Sequence, residues 1–218
     1  MLSRYEFCTA LVAALAALSP PETGEPMLAA PGKPGLDSVC FDFWPGESLR
    51  IVGTNGRRLV VVYAHVPGLP KAGKFLMPVE SAREALQLFA PFATDGLQGL
   101  PQSPRVSLAL FGLEQMIVTS GGDALMVPHA RYEGTTTNVT LYPEYHLMLN
   151  GDTLPSKGAI FDPEALRWAL DCAGYAQGGN VQLQVRAHGP TTVRPKLSAD
   201  FESIQDIIFA IKPVGLVS

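Results

Sequence analysis

The side chains able to do chemistry are few, and their spacing builds no reaction centre. The four histidines, His65, His129, His146 and His188, are dispersed, with no HExxH and no His/Asp/Ser arrangement. Cys8, Cys40 and Cys172 are far apart and form no CxxC and no Cys/His spacing of a zinc site, so they read as free thiols of a reducing compartment. Asp42 stands alone among apolar neighbours, and Glu202 and Asp206 fall four apart in a segment read as a loop, where carboxylates mostly serve solvation. Gly53-Thr54-Asn55-Gly56 lacks the Lys-Ser/Thr ending of a phosphate loop, and Gly121-Gly122 has no helix after it to hold a phosphate. Asn138-Val139-Thr140 matches a glycosylation sequon, a chance match in a cytoplasmic protein. The residues therefore point away from an enzyme and imply no cofactor and no metal.

The elements that would carry any site are legible in composition and pattern. Hydrophobic residues make up 47% of the 218-residue chain, enough for a substantial core and too many for extensive disorder. The 21 glycines and 19 prolines imply many turns and short elements, which favours strands over a helical bundle. A formal net charge of −4 argues against a simple basic nucleic-acid binder but allows a locally basic surface. The apolar run from Cys8 to Leu18 resembles a secretory signal, yet Glu6 interrupts its start. Phe7, Leu11, Leu15 and Leu18 fall on one helical face, so the run reads as a core helix. It is too short to span a membrane.

Residues 19–36 hold five prolines and three glycines and read as a loop. Val39–Trp44 is a strand expectation. Two β-branched runs then flank Asn55-Gly56, the signature of a hairpin closed by a type I′ turn with both residues at its centre. A second block begins at Phe75-Leu76-Met77-Pro78. It continues with a helix over Val79–Phe89 and strands at Val106–Phe111, Gln115–Ser120 and Ala124–Ala130. A third begins at Gly158-Ala159-Ile160-Phe161, where Asp162 caps and Pro163 opens a helix carrying Leu166, Ala169, Leu170 and Ala173 on one face. Val181–Ala187, Thr191–Leu197 and Ile207–Ile211 follow as strands. One helix and about three antiparallel strands thus recur three times, which predicts an α+β fold of three units, helix layer on sheets. The expected division is a domain of two units over residues 1–150 and an additional single unit over residues 151–218.

The hairpin Leu49-Arg50-Ile51-Val52-Gly53-Thr54-Asn55-Gly56-Arg57-Arg58-Leu59 resembles the L-x-x-V-A-T-D-G-H-R-L hairpin of the bacterial β sliding clamp of the replicative DNA polymerase. Tyr142-Pro143-Glu144-Tyr145 is similar to the F-P-D-Y segment of that family. Ile207 to Leu216 is similar to its closing Y-V-I-M-P-M-R-L strand, and Val193-Arg194-Pro195 to an apolar-R-P strand upstream. The departures are Asn55 for the family Asp, Arg57 for its His, Gly215 for its closing Arg, and His146-Leu147 where arginines follow the F-P-D-Y. A clamp chain of the family has six units, against three expected here.

The resemblance implies a DNA-clamp (processivity) fold and a non-enzymatic replication accessory role, tethering partners to DNA. The other role it leaves open is a clamp-derived peptide-binding or regulatory module that does not encircle DNA. It implies a groove for short linear peptides of polymerase or clamp-loader type. Thr54, Gly56, Arg57, Arg58 and Leu59 would come from the hairpin, Pro143, Tyr145, Leu147 and Met148 from one wall, and Ala210, Ile211, Pro213, Val214 and Leu216 from the other. It further implies double-stranded DNA facing Arg4, Arg83 and Arg167 on the three helices, bound without sequence preference. Family clamps close with twelve units, so three units per chain imply a tetrameric ring of the chain with itself.

Overall fold

Ser3 and Glu6 open the first helix. The Glu6 N–H donates to Ser3 Oγ (3.1 Å) and the Ser3 N–H to Glu6 Oε2 (2.8 Å), a reciprocal capping box. The other oxygen, Oε1, accepts the N–H groups of Ser203 (2.5 Å) and Ile204 (3.2 Å), so one buried carboxylate ties the helix start to a distant turn. The helix, α1, runs Arg4–Leu18 behind a short strand, β1 (Leu2–Ser3). Val12 is its one exposed residue, so the expected single apolar stripe is too narrow. The helix is enclosed by sheet on one side and by further helices on both flanks.

The computed structural model describes residues 1–18, 36–44, 48–67, 73–90, 104–111, 115–127, 131–133, 142–149, 159–177, 180–186, 190–197, 199, 201–212 and 215–216. After α1 come β2 (Ser38–Trp44), β3 (Ser48–Thr54), β4 (Arg58–His65) and β5 (Gly73–Pro78). Next are α2 (Val79–Phe89), β6 (Arg105–Phe111), β7 (Gln115–Ser120), β8 (Asp123–Val127) and β9 (Arg131–Glu133). A five-residue helix, α3 (Tyr145–Leu149), precedes β10 (Ala159–Ile160), α4 (Pro163–Gln177), β11 (Val181–Gln184), β12 (Thr191–Pro195), β13 (Ile204–Ile211) and β14 (Gly215–Leu216). No helix among these residues is long and apolar enough to cross a membrane. Asp206 lies inside β13 rather than in the expected loop, and β1, β9, α3 and β14 are additions to the sequence reading.

Among the described residues an eight-stranded sheet takes the order β11-β12-β13-β4-β3-β2-β5-β9 and a four-stranded one β1-β6-β7-β8, while β10 pairs with β14. The order shows an exchange. β1 precedes α1 but pairs with β6, and β5 precedes α2 but pairs antiparallel with β2. Each of the first two helix-and-strand units thus lends its leading strand to the sheet of the other.

Strand alternation divides the long sheet into two faces. Phe41, Ile51, Val60, Val62 and Phe209 point to the inner face, which α1 and α4 cover. Cys40, Val52, Leu59, Val61 and Ala210 point to the outer face, with α3. On the inner face Gly53 has a packing reason: a Cβ there would overlap the backbone carbonyl of Ala14, so α1 rests directly on β3. The hairpin turn also differs from expectation. Thr54 pairs with Leu59, which makes Gly56 and Arg57 the two central residues, one step later than Asn55-Gly56. Gly56, at φ 87°, takes the first central position, where the tight turns that join hairpin strands need a positive φ. Asn55 instead accepts the N–H groups of Arg57 (3.0 Å) and Arg58 (2.9 Å) on its Oδ1.

Candidate functional site

Three segments distant in sequence converge on the outer face. Tyr142 is buried and its hydroxyl donates to the carbonyl of Val52 on β3 (3.1 Å). Tyr145, at the start of α3, is buried beside Leu59 of the hairpin and Ala210 of β13 in one apolar cluster. Its hydroxyl donates to Asp42 Oδ2 (2.5 Å), which also accepts Trp44 Nε1–H (2.8 Å). Burial, then the neighbouring Asp42 carboxylate, push the Tyr145 phenol well above its ordinary range, so it stays a donor. The Arg50 guanidinium lies 4.0 Å over the Trp44 ring and 5.3 Å from that of Tyr63. At the far end of α3, Arg186 donates to the carbonyl of Leu149. The short helix is therefore pinned at both ends, and between the pins Leu147 is 65% exposed.

The groove residues expected from the sequence separate into groups. Leu59, Tyr145 and Ala210 meet in the outer cluster. Thr54 is buried at the hairpin end, where its Oγ1 accepts the Gly56 N–H (3.1 Å) and donates to the Arg58 carbonyl (2.7 Å). Gly56 and Arg57 are exposed at the hairpin tip, Pro143 is half-buried beside α3, and Leu147 projects outward. Arg58 and Ile211, by contrast, face inward. They pair with each other across β4 and β13, the Arg58 guanidinium lies 5.0 Å from the Trp168 ring on α4, and Ile211 belongs to the inner core. Neighbours of outward residues on a strand point the opposite way, so the contiguous runs 58–59 and 210–211 cannot both line one slot. Pro213 and Val214 lie outside the described residues, as do the side chains of Met148 and Leu216. Tyr142 and Thr192 also belong to this face, outside the groove residues that the resemblance implies. Thr192 pairs with Ala210, and its buried Oγ1 has no hydrogen-bond partner among the described residues.

The helix layer departs further from expectation. Arg4 is 2% exposed: its Nε donates to Ser120 Oγ (2.8 Å), and its Nη2 donates to the Ser120 carbonyl and pairs with Asp123 (2.6 Å). It clamps α1 to the β7–β8 turn and is not DNA-facing. Arg83 and Arg167 are exposed on α2 and α4. They share those surfaces with Glu80 and Glu84 on α2 and with Glu164 and Asp171 on α4, two cations against four carboxylates. Among the described residues no three His, Cys, Asp or Glu side chains gather as a metal site.

No protein-family model and no curated protein matches the chain by sequence. Solved structures do match in shape. DNA polymerase III beta subunit from Thermotoga maritima superposes with a TM-score of 0.59 at 10% identity, covering 98% of this chain and 63% of that one. The chain has the fold of a bacterial sliding clamp. A DNA polymerase sliding clamp from Pseudomonas aeruginosa gives a TM-score of 0.55 at 13% identity, over 98% of this chain and 63% of its own. A second Pseudomonas aeruginosa beta-subunit structure gives 0.55 at 13% identity, over 100% and 65%. The chain thus spans just under two thirds of the length of these clamps. What it shares with them is the α+β clamp fold, with antiparallel sheets and helices packed on them.

Proposed function

We propose that this chain is a clamp-fold binding module that captures short linear peptides on the outer face of its long sheet. The observation that carries the reading is the convergence of hairpin, α3 and β13 there, with Leu59, Tyr145 and Ala210 in one cluster and Leu147 held out beside it. An apolar floor with a pinned, exposed anchor and a few polar groups suits an apolar peptide side chain. Its chemistry is tethering: the module raises the local concentration of whatever carries the peptide and breaks no bond. The test is titration of labelled short peptides bearing apolar anchors, followed by anisotropy and by amide shifts at Thr54, Leu147 and Ala210. Binding that leaves these three unmoved, or that survives Leu147→Asp, would reject this site.

The reading in which the module also rides on DNA, as a replication accessory in a tetrameric ring, draws support from the clamp fold. The helix layer weighs against it. A bore that attracts phosphates needs excess cations, and α2 and α4 expose more carboxylates than arginines while α1 exposes Val12. Retention on circular but not linearised DNA would favour encirclement, and equal behaviour on both favours the module alone.

A further inference from the structure

A polar row crosses the outer face of the long sheet beside its apolar cluster. In register from strand to strand it runs Lys74 on β5, Asp42 on β2, Arg50 on β3, Tyr63 on β4 and Asp206 on β13. Most charges of the row have protein partners. Lys74 Nζ lies 3.7 Å from Glu144, and Arg194 donates to Asp206 Oδ2 (2.9 Å). Asp42 sits directly across from Arg50, yet its Oδ2 accepts from Tyr145 and Trp44 instead.

Arg50 is the exception. Among the described residues no carboxylate pairs with its guanidinium. Its Nε is buried without an acceptor, and its Nη1 makes one long hydrogen bond, 3.5 Å to the Tyr145 hydroxyl. The side chain is nonetheless held in place. Its Cζ lies 4.0 Å over the Trp44 ring and 5.3 Å from that of Tyr63. Stacking of this kind fixes the plane of the guanidinium and leaves its outer N–H edge for an acceptor. Tyr63 adds a second donor, since its hydroxyl has no partner among the described residues. Burial, first, holds that phenol above its ordinary range, so it keeps its proton.

A fixed guanidinium edge beside a free phenol matches an oxyanion. Asp42 and Asp206 flank the pair within the row and repel a second negative charge, which favours a carboxylate over a doubly charged phosphate ester. The Tyr145 hydroxyl joins this place to α3, the helix that holds out Leu147.

We propose that Arg50 and Tyr63 form a receptor for a single carboxylate, carried by the peptide whose apolar anchor sits at Leu147. The peptide as source rests on the outer-face reading, whereas the receptor itself does not. An acidic side chain and a free C-terminus offer the same chemistry.

Acetate tests the receptor on the full chain. The Arg50 guanidinium nitrogen resonances, assigned by their loss in Arg50→Gln, should shift saturably with sodium acetate and stay put in sodium chloride of equal ionic strength. Tyr63→Phe should weaken acetate binding several-fold. Labelled peptides then test the source. Changing a Glu of the peptide to Gln should weaken binding about tenfold, the equivalent of ~1.4 kcal/mol. That difference should fall below about twofold in Arg50→Gln. It should persist in Arg105→Gln, the same change of charge on the four-stranded sheet, where Arg105 pairs with Glu202 (2.6 Å). In peptides without acidic side chains, amidation of the C-terminus reads the other source in the same way. Acetate that leaves the Arg50 resonances unmoved overturns the proposal, and so does a preference for Glu that survives Arg50→Gln. Equal affinity within both peptide pairs removes the peptide as the source. Peptides that fail to bind while acetate moves Arg50 would reject the outer-face reading and support the receptor alone.

Discussion

The two faces of the long sheet are built by different physics. The inner face is almost wholly apolar and closes by contact: α1 touches β3 backbone to backbone at Gly53, and Trp168 packs edge-on against Phe209 at 6.0 Å. The outer face holds a smaller apolar cluster beside a polar knot in which Tyr145, Trp44 and Asp42 share hydrogen bonds. One face therefore tolerates little change in volume, while the other is set by direction and leaves a side chain such as Leu147 outside the packing. The inner face specifies the fold, and the outer face is free to carry a binding specificity.

That contrast can be broken, starting from the largest effect. Gly53→Val should destabilise the chain by at least about 3 kcal/mol or prevent folding, because the new side chain meets the Ala14 carbonyl and backbone cannot yield. A thermal melt within a few degrees of the parent would show that α1 can lift from β3. Glu6→Ala should cost about 3 kcal/mol, since it removes the cap on Ser3 and leaves the buried N–H groups of Ser203 and Ile204 without their acceptor. Chemical denaturation measures it, and a loss under about 1 kcal/mol would mean that water replaces the carboxylate.

Cys8 and Cys172, both on the inner side, have thiols pushed up to about 11, chiefly by burial. A pKa raised in the folded state gives stability that is complete below the ordinary thiol value of 9.0 and is lost as pH rises through about 11. The loss should be on the order of 2 kcal/mol for Cys8 and less for the more solvent-screened Cys172, and Cys8→Ala should remove its share of the alkaline sensitivity. Equal alkaline sensitivity with and without Cys8 would contradict this. On the outer face Tyr145→Phe should cost only about 1–2 kcal/mol, because Trp44 still donates to Asp42. It should also loosen α3, seen as faster amide exchange there. Leu147→Asp should change stability by less than about 0.5 kcal/mol. If instead it destabilises as strongly as Tyr145→Phe, Leu147 is packing and the peptide site loses its anchor.

The strong periodicities were legible in the sequence. Val79, Ala82, Leu86 and Phe89, with Ala85 alongside, predict α2 at its observed bounds, and Asp162 caps α4 through a 3.0 Å bond from the Glu164 N–H to its Oδ1. The β3–β4 hairpin was equally plain. The spacing of Phe7, Leu11, Leu15 and Leu18 predicts an amphipathic first helix, although enclosure on several sides needs no polar stripe at all. Its capping box, Ser3-x-x-Glu6, is a readable signal that the apolar run behind it overshadowed. Leu2–Ser3 is too short to show a period of two, and its pairing with β6 depends on a partner about a hundred residues away. In the site, the family resemblance groups Arg58 with Leu59 and Ile211 with Ala210, yet strand parity sends one residue of each pair to the inner face. For Arg4, nothing local in the sequence distinguishes a solvated arginine from one closed in by the β7–β8 turn.

The exchange of leading strands also dictates an order of events during synthesis. Leu2 and Ser3 emerge about a hundred residues before their partners, Arg105 and Val106. The sheet of β2, β3 and β4 likewise waits for β5, which belongs to the following unit. Neither sheet is finished until both units have left the ribosome, so β1 and the open edge of β2 stay unpaired through an interval of translation. The native pairing is a late, cooperative step, and the nascent chain is most exposed to wrong partners just before it.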